Sequence, residues 1–209
     1  MHAAYWISLV MCLAPGFCSA QKPKPCRVPD MYTGAMILSS KGEFHGVDAY
    51  SYDAINKRIR LQGIRFLNNE TVSYDGLLLY KKRIMYKINP DDQTCVKTKL
   101  KSKFHPMEVP KGAVFLAPVV LGTSSSPGQG LVVNTFLGLM PNGSYLMTVT
   151  NDLCLPVSMV VHDDKRQMSL SFFDNMLGAD PIDFIPPPFC KDAKLDAMDG
   201  IADFFSIFN

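Results

Sequence analysis

Cys26, Cys95, Cys154 and Cys190 are the residues best suited to covalent chemistry, an even set spread along the chain. They follow a segment, residues 1–20, that reads as a secretory signal. It has an apolar stretch from Tyr5 to Leu13 and ends in Cys18-Ser19-Ala20, a small-x-small cleavage pattern, with His2 the only basic residue near its start. Secretion puts thiols where disulfides persist, so the even set predicts two bridges, with three possible pairings open. Buried free thiols are the plainer alternative and fit this compartment less well.

The remaining reactive side chains are sparse. His45, His105 and His162 lie far apart and have no ligand-spaced neighbours. His162 followed by Asp163-Asp164 is the best of them, since adjacent carboxylates raise a histidine pKa. Asp91-Asp92 and Asp163-Asp164 offer hard oxygens that suit calcium, although neither lies in a D-x-D-x-D-G loop. Paired acids in turns also cap backbone N–H groups, which is the simpler use. No G-x-S-x-G elbow, P-loop, H-E-x-x-H or GxGxxG is present, so no enzyme is expected and no cofactor is required. Asn69-Glu70-Thr71 and Asn142-Gly143-Ser144 are N-glycosylation sequons.

Charge and hydropathy narrow the partners. A formal net charge of +2 does not argue for nucleic acid. Lys97, Lys99, Lys101 and Lys103 alternate, as on the solvent face of a strand. Beyond the signal, no apolar run approaches the roughly 20 residues that span a bilayer. The longest, Ala113 to Leu121, is broken by Pro118.

The elements that must position these residues read as β. Short apolar, β-branched and aromatic runs alternate with turn signals. The expected strands are Met31–Leu38, Gly46–Tyr52, Arg58–Phe66, Tyr74–Tyr80, Arg83–Ile88 and Cys95–Leu100, then Val114–Leu121, Leu131–Leu139, Tyr145–Thr150, Pro156–His162 and Met168–Phe173. Turns at Asp53–Asn56, Asn89–Asp92, Pro141–Gly143 and Asp163–Arg166 imply antiparallel hairpins. Only the C-terminus has a 3.6-residue period. From Lys191 onward Leu195, Met198, Ile201, Ala202, Phe205 and Phe208 share one face, which predicts a helix packed on the sheet. Residues 21–209 are expected to form a single domain.

Three segments together resemble the ependymin-related family. They are Ser51-Tyr52-Asp53 with Arg58-Ile59-Arg60; Leu77-Leu78-Leu79-Tyr80-Lys81 with Met85-Tyr86-Lys87-Ile88 and Cys95; and Phe172-Phe173-Asp174 with Gly178, Asp180-Pro181, Phe184 and Pro186-Pro187-Pro188-Phe189-Cys190. The resemblance implies a secreted or lysosomal glycoprotein, often dimeric. It implies a lipoprotein-carrier-like fold, two antiparallel sheets enclosing an apolar pocket. It also implies the bridges Cys26–Cys154 and Cys95–Cys190. Calcium, extracellular matrix and gangliosides are associated with the family. The chain departs from members with a third bridge, because residues 66–71 and the last five residues lack cysteine.

The expected function is therefore non-catalytic binding of a fatty acid, phospholipid or glycolipid between β-sheets. The alternative is a calcium-dependent matrix or cell-adhesion glycoprotein without a pocket. Alternation along the strands puts Ile59, Leu61, Leu78, Tyr80, Met85, Leu137, Leu139, Met147, Met159, Val161, Leu170 and Phe172 on the pocket face. Twelve methionines and thirteen phenylalanines fit a well-filled core first, and they also offer adaptable apolar surface for such a pocket. They also supply surface for a homodimer that leaves Asn69 and Asn142 in solvent.

Overall fold

Asp53 shows how the hairpins form. Its carboxylate accepts the Asn56 backbone N–H at 2.8 Å and the Arg58 Nε–H at 3.0 Å. One buried side chain thus closes the turn and pins the first residue of the next strand. Asn89 does similar work three hairpins further on, accepting the N–H of Asp91 at 2.9 Å. Lys57, Arg83 and Gln93 each adopt positive φ immediately before a strand begins, so three four-residue turns end in the same left-handed step.

The computed structural model describes residues 22–40, 44–67, 70–140, 143–164 and 167–196. The signal, both sequon asparagines and the part beyond Asp196 of the helix expected from Lys191 lie outside them. Eleven strands form where alternation predicts them: β1 (Met31–Ser40), β2 (Phe44–Asp53), β3 (Arg58–Leu67), β4 (Glu70–Leu79), β5 (Ile84–Asn89), β6 (Thr94–Lys99), β7 (Val114–Gly122), β8 (Gly130–Met140), β9 (Gly143–Thr150), β10 (Pro156–Asp163) and β11 (Gln167–Leu177). A twelfth, β12 (Leu195–Asp196), pairs parallel to β6 where the sequence pattern predicts helix. Pro181–Phe184 and Pro188–Cys190 form single 3-10 turns.

The protein is mainly β, but the expected pair of sheets is one continuous sheet. Its order is β12-β6-β5-β4-β3-β2-β1-β11-β10-β9-β8-β7. The β1–β11 ladder, with Met36 opposite Phe172 and Leu38 opposite Leu170, joins the two halves into one. A sheet this wide does not stay flat. Residues from β1–β5 and from β8–β11 share a single buried core, so the sheet bends until its inner face packs on itself and on what crosses it.

Residues 100–113, between β6 and β7, are what crosses it. Leu100, Met107, Val109 and Ala113 are buried in that core. The N-terminal segment lies alongside: Val28 donates its N–H to the Met107 carbonyl at 3.2 Å, and Val109 donates to the Cys26 carbonyl at 2.8 Å. A disulfide joins Cys26 to Cys154, with Cα atoms 6.1 Å apart, and so fastens this layer to the β9–β10 turn.

The outer face of β4–β6 has its own small core of Leu77, Leu79, Ile88, Phe184 and Cys190. The 3-10 turns cover it. Cys190 is bonded to Cys95 on β6, and Arg60 donates to the Asp183 carbonyl at 2.9 Å. The Arg58 guanidinium sits 4.3 Å from the centre of the Phe184 ring.

Candidate functional site

A cavity of about 310 Å³ opens between the crossing segment and the inner face of β8–β11. That is the lower end of the size range of small-molecule sites. The crossing segment supplies His105, Pro106, Met107, Glu108 and Pro110; the sheet supplies Leu139, Met140, Tyr145, Met147, Met159 and Phe172. Antiparallel register explains the wall. Phe136, Met147, Met159 and Leu170 are successive cross-strand partners and all face inward.

Gly138 shapes one side. A Cβ there would come within 1.9 Å of the Tyr145 ring, so only glycine lets that ring lie across β8 beside the cavity. Burial pushes the Tyr145 hydroxyl pKa up. Four of the lining side chains are methionines, Met107, Met140, Met147 and Met159, flexible and polarisable thioethers that suit a conformationally variable apolar guest.

The inner face also carries a buried ion pair. Asp48, opposite Met36 on β1, is fully buried and ion-paired with Arg65, whose guanidinium lies 4.4 Å from the Tyr74 ring centre. Burial raises the Asp48 pKa against the opposing pull of Arg65, and its Oδ2 has no hydrogen-bond partner. Gly63 makes room for it, since a Cβ at that position would lie 2.6 Å from Asp48 Oδ1.

Among the residues that alternation assigns to the pocket, Met147, Met159 and Phe172 line the cavity. Ile59, Leu61, Leu78, Tyr80, Met85, Val161 and Leu170 are buried in the same core without bordering it, except that Ile59 and Leu61 border a second, smaller hollow. Leu137 and Leu139 have the opposite parity on β8 from the inward-facing Phe136, and they are 36% and 84% exposed. Leu139 nevertheless borders the cavity rim. The crossing-segment residues, Met140 and Tyr145 are not among those the sequence assigns. The one sequence signal for the segment is a long connection without strand or helix period, holding Pro106 and Pro110.

The acidic pairs sit on different hairpins. Asp91 and Asp92 hold the β5–β6 turn: Ser73 donates to Asp91 at 3.1 Å and Asn89 to Asp92 at 2.8 Å. Asp164 is exposed at the β10–β11 turn, with Asp163 ending β10, and β4, β3, β2 and β1 intervene in the sheet. His162 is exposed, and His45 Nδ1 lies 2.8 Å from Ser39 Oγ. No helix among the described residues is long and apolar enough to cross a membrane.

A wide β-sheet wrapped over its own crossing segment, with an apolar cavity and disulfide-held covers, defines a β-sheet protein with an internal hydrophobic site. The chain belongs to the ependymin family. The family model for Ependymin matches residues 68–190. The chain is 30% identical to Ependymin of Esox lucius, over 98% of this chain and 94% of that protein. It is 28% identical to Mammalian ependymin-related protein 1 of Mus musculus, over 84% and 80% respectively. Likeness to solved structures is looser. LprF from Mycobacterium bovis is 12% identical with a TM-score of 0.44, covering 76% of this chain and 90% of that one. A LolA superfamily protein from Nitrosomonas europaea is 10% identical with a TM-score of 0.31, covering 78% and 93%.

Proposed function

We propose that this protein is a secreted, non-catalytic binder of a hydrophobic ligand with a flexible acyl chain, such as a fatty acid, phospholipid or glycolipid. The observation that carries the reading is the methionine-lined cavity beneath residues 105–110. Such a wall favours a chain that is apolar and variable in shape over a rigid polar substrate. Two disulfides support an oxidising compartment, outside the cell or in the lysosomal lumen. The direct test is native mass spectrometry of the protein purified from its own source. A bound mass of lipid size, lost in organic solvent, is the expected result. Apo-protein that takes up no lipid when offered one would contradict it.

A homodimer belongs to the same reading. β7 is an edge strand of the sheet, and its Val119, Val120 and Leu121, with Leu131 and Val132 of β8, are exposed. An edge that is apolar along its length is a place for a second copy to pair. Sedimentation at micromolar concentration is expected to give twice the monomer mass, and replacing Val119 and Leu121 by lysine is expected to halve it. A strictly monomeric native protein would defeat the dimer.

A further inference from the structure

Two hollows on the inner face meet at Met107 and Phe172. The larger is the cavity of about 310 Å³. The smaller, about 10 Å³, lies among Met36, Tyr50, Tyr52, Ile59 and Leu61. Met107 and Phe172 line both, and no other described residue does. The smaller hollow has room for about one water-sized sphere. Phe172 belongs to the sheet, its ring edge-on to Tyr50 at 5.8 Å. Met107 comes from the opposite side, on the crossing segment outside any strand, and forms the other half of the partition.

Its position is nevertheless fixed. The Met107 N–H donates to the Tyr52 hydroxyl at 2.9 Å, its carbonyl accepts from Val28 at 3.2 Å, and the Tyr32 hydroxyl donates to its sulfur. The Tyr32 and Tyr52 rings lie 5.0 Å apart and brace one another. Met107 is 7% exposed. A thioether held this way is a defined wall and not a loose gap-filler.

We propose that Met107 is the floor of the ligand cavity and sets the length of acyl chain the protein accepts. The inference rests on the hydrophobic-ligand reading above. A chain entering beside Met147 and Met159 meets the Met107 side chain before it reaches the tyrosine-lined hollow. Each methylene buried above the floor strengthens binding about fourfold. Methylenes beyond the floor find no space and add nothing. Truncation to alanine removes the three heavy atoms beyond Cβ and joins the two hollows. Both backbone hydrogen bonds of residue 107 survive that change, so the crossing segment keeps its place.

Calorimetric titration of the whole mature protein with saturated fatty acids of increasing length tests this. Wild-type affinity is expected to climb with length and then level off. In Met107→Ala the plateau moves two to three carbons longer. A chain two carbons beyond the wild-type limit gains about fifteenfold. Met107→Leu keeps the wild-type limit. Met107→Phe fills the floor instead of emptying it, and moves the limit to shorter chains; it carries the test if the alanine variant does not fold. An unchanged limit in a folded alanine or phenylalanine variant overturns the proposal. Failure of the wild type to bind any length would defeat the hydrophobic-ligand reading, and the length gauge with it.

Discussion

The Tyr52 hydroxyl accepts the backbone N–H of Met107 at 2.9 Å, joining the sheet to the segment that crosses it. Burial pushes the Tyr52 pKa up to about 12, despite the Met107 hydrogen bond, which pulls the other way. Tyr32 and Tyr50 are raised by burial as well.

A pH dependence follows from these shifts. A folded pKa above the unfolded value of 10.0 means that the unfolded chain loses its protons first as pH rises. The stabilisation is fully present below about pH 10 and is lost as pH climbs through the folded value, about 12 for Tyr52. Urea midpoints are therefore expected to fall across that window. Tyr52→Phe should flatten part of the fall, and at neutral pH it should cost about 1–3 kcal/mol because the Met107 N–H loses its acceptor. A flat profile in the wild type from pH 10 to pH 12 would count against this packing.

Gly138 and Tyr145 make a second test. An alanine methyl at 138 collides with the Tyr145 ring and must push it out of place. Gly138→Ala is expected to cost about 1–3 kcal/mol by overpacking and to weaken binding of a fluorescent fatty acid several-fold. Stability and binding both unchanged would show that the ring does not sit there.

How far the sequence reveals this site depends on the element. Alternation locates β1 to β11 because most strands are polar on one face. It fails to choose a face on β8, where Leu131, Val132, Leu137 and Leu139 are exposed while Phe136 is buried, so both faces are apolar. Leu195 has a helical period with later residues, yet the Cys95–Cys190 bond holds the chain beside β6 and a ladder forms there instead. The crossing segment has no period at all. Its role comes from tertiary contacts, such as Phe104 against Tyr52 and Tyr80 at 5.9 and 5.3 Å, which local pattern does not encode.

The outer face should be separable from the site. Arg60 grips Asp75 with Nε at 3.0 Å and Nη2 at 2.7 Å, and both side chains are largely buried. Arg60→Ala leaves Asp75 without this partner and is expected to cost about 3–5 kcal/mol. It should not change ligand affinity in the protein that remains folded. A large affinity loss at unchanged stability would mean that the outer face reports on the cavity.

The two disulfides are expected to divide the same way. Replacing Cys26 and Cys154 by alanine frees the layer that covers the cavity, so affinity should fall along with about 2–5 kcal/mol of stability. Replacing Cys95 and Cys190 should cost comparable stability and leave affinity near wild type. Chemical denaturation paired with ligand titration of each variant separates the outcomes. Equal affinity losses in the two variants would contradict the assignment of the cover.

The central claim is that an acyl chain lies against Met159 beneath the crossing segment. Equilibrium titration of wild type and Met159→Trp with cis-parinaric acid, alongside thermal melts, tests it most directly. The wild type should bind the probe at one site per cavity. The tryptophan fills the space, and affinity should drop at least about tenfold while the folded state persists. A folded Met159→Trp protein that binds the probe as tightly as wild type would contradict the account.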